Sequence, residues 1–544
     1  MSEAVQGNTK KVFLSGVLLL TLSTLLVKVI GLIYKIPMLS YLGSEGMGYF
    51  NSAYEIYALF CVISTAGLPV ALSVLISGAL ARGEASCVRR IYSAALTVFL
   101  MIGLLGSGAM LLLARRFCTL IQSEGAYFSI LSIAPTLFFV CLSSALRGYF
   151  QGYQKMLPTA ISQVIESLGK LVFGLLLARF ALERGYDTAR VAAFAGLGLS
   201  LGTALSFLYL LIEKIRFRPA VERSAREETP TPAMAQIWKQ LARLSIPMTL
   251  GASLVSLTKL IDMTMILRRL QAIGYSEVTA NEAYGGYTTL ALSVFGLLPS
   301  LVNAIALPLV PMLSAAIAAG DRERQSEMIR ASYRLVALFA IPAALGVSAF
   351  AHPVLSLLFA GEETAVAAAA PLLSMLGVSV FLSCMITATN SVLHAYQEVN
   401  RPILSMLAGA GLKILSAYFL IGNPRVALMG APISTFLCDG AVVLLNLWFC
   451  ERLCPVAGMA TVFRRPLLCA VLSVGSAYAI YLSLVYRFGA SSLITLASLG
   501  LAGLAYLLLA CLMGVFEEQD LLALPMGDKL CMILKKIRLL PCER

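Results

Sequence analysis

Charge is what this chain has least of. Only 13% of its 544 residues are Asp, Glu, Lys or Arg, whereas 59% are hydrophobic and the mean hydropathy is +0.86. A soluble globular domain carries about a quarter charged residues, so that class is excluded and the bilayer becomes the solvent. Histidine is nearly missing too. His352 and His394 lie far apart without metal-ligand spacing, and neither a metal site nor a cofactor is expected. No Walker A pattern occurs, so ATP hydrolysis by that route is not expected. The reading is a transporter rather than an enzyme, driven by gradients, membrane potential or consumption of its product. No basic run sits on a soluble domain, so the net charge of +13 does not point to nucleic acid. The 12 cysteines are scattered mostly through spans and cytoplasmic segments and are expected to be free thiols, Cys450 and Cys454 included.

What is present is hydrophobic length. Runs long enough to span fall near 12–34, 49–78, 91–114, 125–146, 158–179 and 191–212. After a polar stretch they resume near 244–267, 284–313, 332–350, 371–393, 403–421, 427–449, 466–486 and 491–514. The expectation is an all-α polytopic membrane protein of about 14 transmembrane helices. If the N-terminus is cytoplasmic, 27 of the 41 Lys and Arg fall in cytoplasmic segments, which supports both termini inside. The charged, proline-bearing stretch 213–240 separates an N-lobe (1–212) from a C-lobe (241–450). Spans thirteen and fourteen (451–516) form an appendage, and 517–544 is a tail whose residues 528–540 read as an amphipathic helix on the cytoplasmic face.

The two lobes echo each other. Lys28 is followed fifteen residues later by Gly43, and Lys259 by Gly274 at the same spacing; Tyr153-Gln154, Pro158 and Lys170 are echoed by Tyr396-Gln397, Pro402 and Lys413. Two six-helix repeats are therefore expected, related by an axis along the membrane normal because six is even. Pro69 in the second span, and Pro299 and Pro308 in the eighth, mark candidate helix bends.

A charge at bilayer depth costs about 2.5–3.5 kcal/mol on insertion scales, so each one needs a reason. Glu166 and Lys170 are four apart, and Lys259 and Asp262 three apart, so each pair can neutralise itself on its own helix. Lys28 and Lys413 have no acid within four residues in sequence. Lys28 shares a face with Lys35, Thr21, Thr24 and Gly31, and Lys413 with Ser405, Gly409 and Ser416. Glu55 lies one turn after Asn51 and can pair across helices with Lys28 or Lys35. Lys28, Lys35 and Lys413, with Glu55 and Asn51, are thus the candidates to line an anion-receiving cavity. Glu166, Lys170, Lys259, Asp262 and Arg147 are candidates for internal pairing or gating. Snorkelling of Lys35 and positive-inside anchoring of Arg147 are the structural alternatives.

The segment Leu146-Arg147-Gly148-Tyr149-Phe150-Gln151-Gly152-Tyr153-Gln154, with Pro158-Thr159-Ala160 and Glu166, resembles the fourth-to-fifth helix signature of polysaccharide exporters, and specifically the stage V sporulation protein B family. Ser64 to Pro69, Lys259-Leu260-Ile261-Asp262, Tyr284-Gly285 and Asp520 to Pro525 agree with it. That family belongs to the multidrug/oligosaccharidyl-lipid/polysaccharide exporter superfamily, with the MurJ-type lipid II flippases and the multidrug and toxin extruders. The resemblance implies two six-helix lobes around a cavity that opens alternately to either side of a bacterial plasma membrane. It also implies a lipid-linked, pyrophosphate-bearing cell-wall precursor as cargo, with membrane lipids and cell-wall synthesis machinery as partners. In the MurJ-type flippases basic residues of the first helix flank a glycine and contact the cargo; Lys28 and Lys35 around Gly31 are similar. Lysine there is a departure, since it offers a point charge where arginine offers a forked donor. By the same resemblance, helices thirteen and fourteen help form a groove for the lipid tail.

The expected function is a flippase that carries the polar head of this precursor across the hydrocarbon by alternating access. Two rivals remain. A drug/cation antiporter of the extruder branch should favour acids and aromatics in its core, whereas this core carries four lysines against three acids, Glu55, Glu166 and Asp262. A non-transporting scaffold for cell-wall synthesis or sporulation predicts no hydrated cavity. Oligomeric state and the identity of the saccharide are not legible.

Overall fold

A computed structural model describes residues 2–217, 233–306, 309–456 and 458–515. The expected amphipathic tail, the middle of the 213–240 linker and Pro308 lie outside the described residues. Every regular element among the described residues is helical. In chain order they are α1 (Ser2–Thr65), α2 (Leu68–Ala81), α3 (Ala85–Leu112), α4 (Ala114–Ile121), α5 (Tyr127–Gly152), α6 (Leu157–Glu183) and α7 (Thr188–Arg216). Then come α8 (Met234–Ala272), α9 (Glu277–Gly286), α10 (Leu292–Ala306), α11 (Leu309–Ala318), α12 (Arg322–Ala349) and α13 (Ala351–Leu358). The series closes with α14 (Glu363–Ala395), α15 (Asn400–Ile421), α16 (Gly430–Leu453), α17 (Met459–Phe488) and α18 (Ser492–Leu512).

Twelve stretches among the described residues are long and apolar enough to cross a bilayer. The first, Leu22–Ala81, holds 60 residues, about 90 Å at 1.5 Å per residue, or two crossings with room to spare. Its break is at Gly43, where φ is 64° and ψ 176°, a conformation closed to residues with a Cβ. The expected span at 284–313 passes through a π-helical turn at Tyr287–Ala291 between α9 and α10, and its residues 307–308 lie outside the described ones, so no single described element there reaches span length. Counting the first stretch twice and the broken one once takes twelve to fourteen.

Outward faces carry large apolar side chains, such as Leu105 at 70%, Leu444 at 70% and Leu504 at 64% exposure. Such surfaces suit acyl chains. With no hydrophobic drive between helices in lipid, small residues and interhelical hydrogen bonds hold the bundle. In α6 and α7 the backbones nearly touch. A Cβ at Gly169 would meet Gly202 Cα at 2.5 Å, and one at Gly198 would run into the backbone of Gly174. Gly198→Leu is therefore expected to lower the melting temperature in detergent and broaden the size-exclusion peak, at a cost of about 1–3 kcal/mol or more. Gly500→Leu, where a Cβ meets nothing within 4 Å, is expected to change neither; equal behaviour of the two variants would contradict this packing.

The chain forms two compact units, Met1–Thr289 and Leu290–Arg544. This packing division falls inside the π-helical turn and not in the 213–240 stretch that parts the sequence repeats, because α8 and α9 pack against α1. Gly48 and Gly285 bring α1 and α9 into backbone contact: a Cβ on Gly48 would overlap Asn281, and one on Gly285 would overlap Ser44. In the second unit α12, α14 and α16 share a core of Tyr333, Val336, Val380, Cys384, Val392 and Val443. The last two helices are fastened to α12, since Tyr506 Oη donates to Leu338 O at 2.7 Å and Phe350 packs on Tyr478 and Tyr481.

The backbone carries the repeat that the sequence suggested. Gly43 and Gly274 both have positive φ, at 64° and 106°. Gln154 and Gln397 are both left-handed, at 58° and 61°, and close the same turn. Lys155 N donates to Phe150 O at 2.9 Å, and Glu398 N to Leu393 O at 2.9 Å. Pro69 does not bend a continuous span: it stands in the first turn of α2, after a break at Ala66–Gly67, where its missing N–H costs nothing. Pro299 lies inside α10.

Candidate functional site

In the first unit the structure gathers five of the residues singled out by sequence. Lys28 is exposed on α1, and Lys35, two turns on, is half-buried. The charge of Lys259, on α8, reaches Lys28, Lys35 and Glu55. Glu55 is also within reach of Lys35 and Asp262. Lys259 is itself exposed, so two of the three ammonium groups are open to whatever fills this face. A Cβ on Gly31, between Lys28 and Lys35, would meet nothing within 4 Å.

Lys35 and Asn51 also hold the broken turn that follows α9. Lys35 Nζ donates to Thr288 O at 3.2 Å, and Asn51 Nδ2 donates to Thr288 Oγ1 at 2.8 Å and Thr289 Oγ1 at 3.0 Å. A π turn leaves carbonyls off the regular ladder, and in a bilayer they need internal donors. Lys35 supplies one to the Thr288 carbonyl, and Asn51 holds the hydroxyls of Thr288 and Thr289, the last residues of the first unit. Asn51→Leu is expected to lower thermal stability by about 1–3 kcal/mol, because Thr289 Oγ1 loses its donor at full burial. An unchanged melting curve for that variant would refute the assigned role.

Glu166 is not paired with Lys170, as the four-residue spacing suggested, but with Arg147. Arg147 Nη2 donates to Glu166 Oε2 at 2.8 Å and to Ser206 Oγ at 3.3 Å, while its Nε donates to Ser162 Oγ at 2.9 Å. Ser206 Oγ in turn donates to Ser162 O at 2.8 Å, so one guanidinium ties α5, α6 and α7. A guanidinium can bond the carboxylate and two serines at once from fixed directions, which the single ammonium of the lysine nearer in sequence does not match. Lys170 instead points at aromatic faces of α1, at 4.8 Å from the Tyr34 ring and 4.9 Å from the Tyr54 ring.

Lys413 lies in the second unit, 8% exposed, on the α15 stripe that also buries Ser405 and Gly409. That stripe faces α16: a Cβ on Gly409 would sit 3.1 Å from Cys438 O. Asp439 of α16 is a fourth intramembrane acid beside Glu55, Glu166 and Asp262. It accepts from Ser383 Oγ at 2.8 Å, and one helical stripe further on Asn446 Nδ2 donates to Thr389 Oγ1 at 3.1 Å and Asn390 Oδ1 at 2.8 Å. Asp439 was visible as an acid inside the 427–449 run. The roles of Thr288, Thr289 and the rings near Lys170 had no such signal, since only the fold brings them together.

A multi-pass helical bundle with two repeats and titratable residues inside the spans is the architecture of a membrane transporter, and the family matches place it in the MOP superfamily. The chain belongs to the polysaccharide biosynthesis protein family, which it matches over residues 13–317; residues 247–419 match the MatE family. Among curated relatives it is similar to stage V sporulation protein B of Bacillus subtilis (strain 168), 25% identical over 532 residues covering 96% of this chain and 99% of that protein. It is also similar to the lipid II flippase MurJ of the same organism, 24% identical over 455 residues covering 81% of each. Among solved structures, lipid II flippase MurJ in its inward closed conformation superposes with a TM-score of 0.68 at 16% identity, covering 91% of this chain and 98% of that one. A multidrug resistance MATE family transporter in its inward-facing conformation gives 0.60 at 15% identity, covering 80% and 99%.

Proposed function

We propose that this transporter moves a lipid-linked, pyrophosphate-bearing cell-wall saccharide precursor from the inner to the outer leaflet by alternating access. The observation that carries this reading is the cluster of Lys28, Lys35 and Lys259 in the first unit, within span-length apolar helices and with Lys28 and Lys259 exposed. An anion bearing two phosphates can neutralise more than one ammonium, which offsets the cost of keeping them there. Glu55 and Asp262 keep the cluster from excess charge when no cargo is bound. The lipid tail remains in the bilayer throughout. Both termini are cytoplasmic in this reading, and the 1–212 and 241–450 repeats rock as lobes. The relatives named for lipid II flipping and for sporulation support a cell-wall cargo.

The test is reconstitution into vesicles with a panel of polyprenyl-pyrophosphate saccharides, including lipid II, and measurement of headgroup accessibility at the outer leaflet. Protein-dependent movement of at least one is expected; movement of none would sink the proposal. The MatE match over 247–419 and the acids Glu55, Asp262 and Asp439 favour a second reading, a drug/cation antiporter. It predicts resistance to cationic drugs that depends on a proton or sodium gradient.

A further inference from the structure

Three rings of the first unit surround one ammonium. Lys170 Nζ lies 4.8 Å from the centroid of Tyr34, 4.9 Å from that of Tyr54 and 5.6 Å from that of Phe50. The rings brace one another, with centroids 6.3 Å apart for Tyr34 and Phe50 and again for Phe50 and Tyr54. Tyr34 precedes the Gly43 break and Phe50 and Tyr54 follow it, so the bend in α1 is what turns the two arms toward a common point. Gly174, one turn beyond Lys170, seats the Tyr34 ring: a Cβ there would stand 2.9 Å from Tyr34 Cε2. Tyr34 and Phe50 are 1% and 2% exposed. Among the described residues no carboxylate lies within ion-pair distance of Lys170, because Glu166 is held by Arg147. The ammonium is therefore stabilised at contact distance by ring faces, with Glu166 attracting it from further off. This is the arrangement by which aromatic cages bind organic ammonium ligands.

We propose that Tyr34, Phe50 and Tyr54 form an organic-ammonium site that the chain fills with its own Lys170, and that Lys170 thereby excludes cationic ligands from the first unit. The side chain acts as a tethered ligand, present at an effective concentration no free cation reaches. Its charge, added to that of nearby Lys35, repels any second cation that approaches. An anionic cargo neither competes for the box nor is repelled by it. Removing the side chain beyond Cβ vacates a space the size of a small alkylammonium while leaving the three rings in place. This inference does not rest on the identity of the cargo, since it concerns what the box admits.

The test measures binding of radiolabelled tetramethylammonium to purified protein in detergent by equilibrium dialysis. The parent and Lys170→Arg are expected to show no saturable binding. Lys170→Ala is expected to gain one saturable site, weakened at least tenfold by adding Tyr54→Leu. Binding by Lys170→Ala no greater than that of the parent, or binding indifferent to Tyr54→Leu, would overturn the proposal. Should Lys170→Ala fail to yield monodisperse protein, ethylammonium or tetramethylammonium during purification is expected to restore it by refilling the box. No recovery with either ion would overturn the proposal equally.

Discussion

Lys28→Ala is expected to slow precursor translocation in vesicles by about 10- to 150-fold while leaving the melting temperature within error of the parent. The two halves of that result have different sources. The side chain is exposed and the neighbouring Gly31 faces open space, so truncation creates no cavity and folding is spared. A charge-assisted contact to phosphate contributes roughly 1.5–3 kcal/mol, which converts to that range of rate if it is made during the crossing. Lys28→Arg is expected to retain most of the activity, since the cation remains although its shape changes. A Lys28→Ala variant that moves precursor as fast as the parent would remove this residue from the transport path.

Arg147→Ala is expected to have the largest effect on stability. Arg147 and Glu166 are 14% and 23% exposed, and deleting one partner of such a pair strands the other, at about 3–5 kcal/mol. The loss extends further, because the same guanidinium holds Ser162 and Ser206 and so three helices. Glu166→Gln is expected to be milder, as the amide oxygen can still accept from Nη2. Replacing both residues together, as in Arg147→Met with Glu166→Leu, is expected to recover part of the stability, since no charge is then left alone. Thermal melts of the purified variants decide this; an Arg147→Ala protein that melts with the parent would show the network to be incidental.

The sequence was most informative where one residue type carried the signal. Gly43 and Gly274, read only as matched positions, prove to be left-handed hinges between helices, and Tyr153-Gln154 and Tyr396-Gln397 close the same backbone turn. The hydrophobic runs indicated about fourteen spans, which the described helices match, but composition does not register where the helix geometry changes. The first pair of spans is one long helix broken at Gly43, and the eighth is interrupted by a π turn. Partner choice was the least legible layer. Spacing put Lys170 beside Glu166, but helical neighbours compete with whatever another helix presents, and Arg147 of α5 takes the carboxylate. The rings that receive Lys170 lie more than a hundred residues away, and no local pattern announces them. The same holds for Thr288 and Thr289, whose hydroxyls matter only because Asn51 reaches them. Asp439 differs, since an acid inside the 427–449 run is legible from sequence alone.

The central claim, that a positive charge at position 28 holds the anionic head during transport, is tested most directly by removing that charge and returning it chemically. Lys28→Cys protein in vesicles would be assayed for precursor movement before and after reaction with an aminoethyl or a methyl methanethiosulfonate reagent, with the parent treated in parallel. The account predicts loss of transport in Lys28→Cys, recovery with the aminoethyl group, which rebuilds a lysine-like ammonium, and no recovery with the neutral methyl group. Full activity in untreated Lys28→Cys, or equal recovery with both reagents, would contradict it.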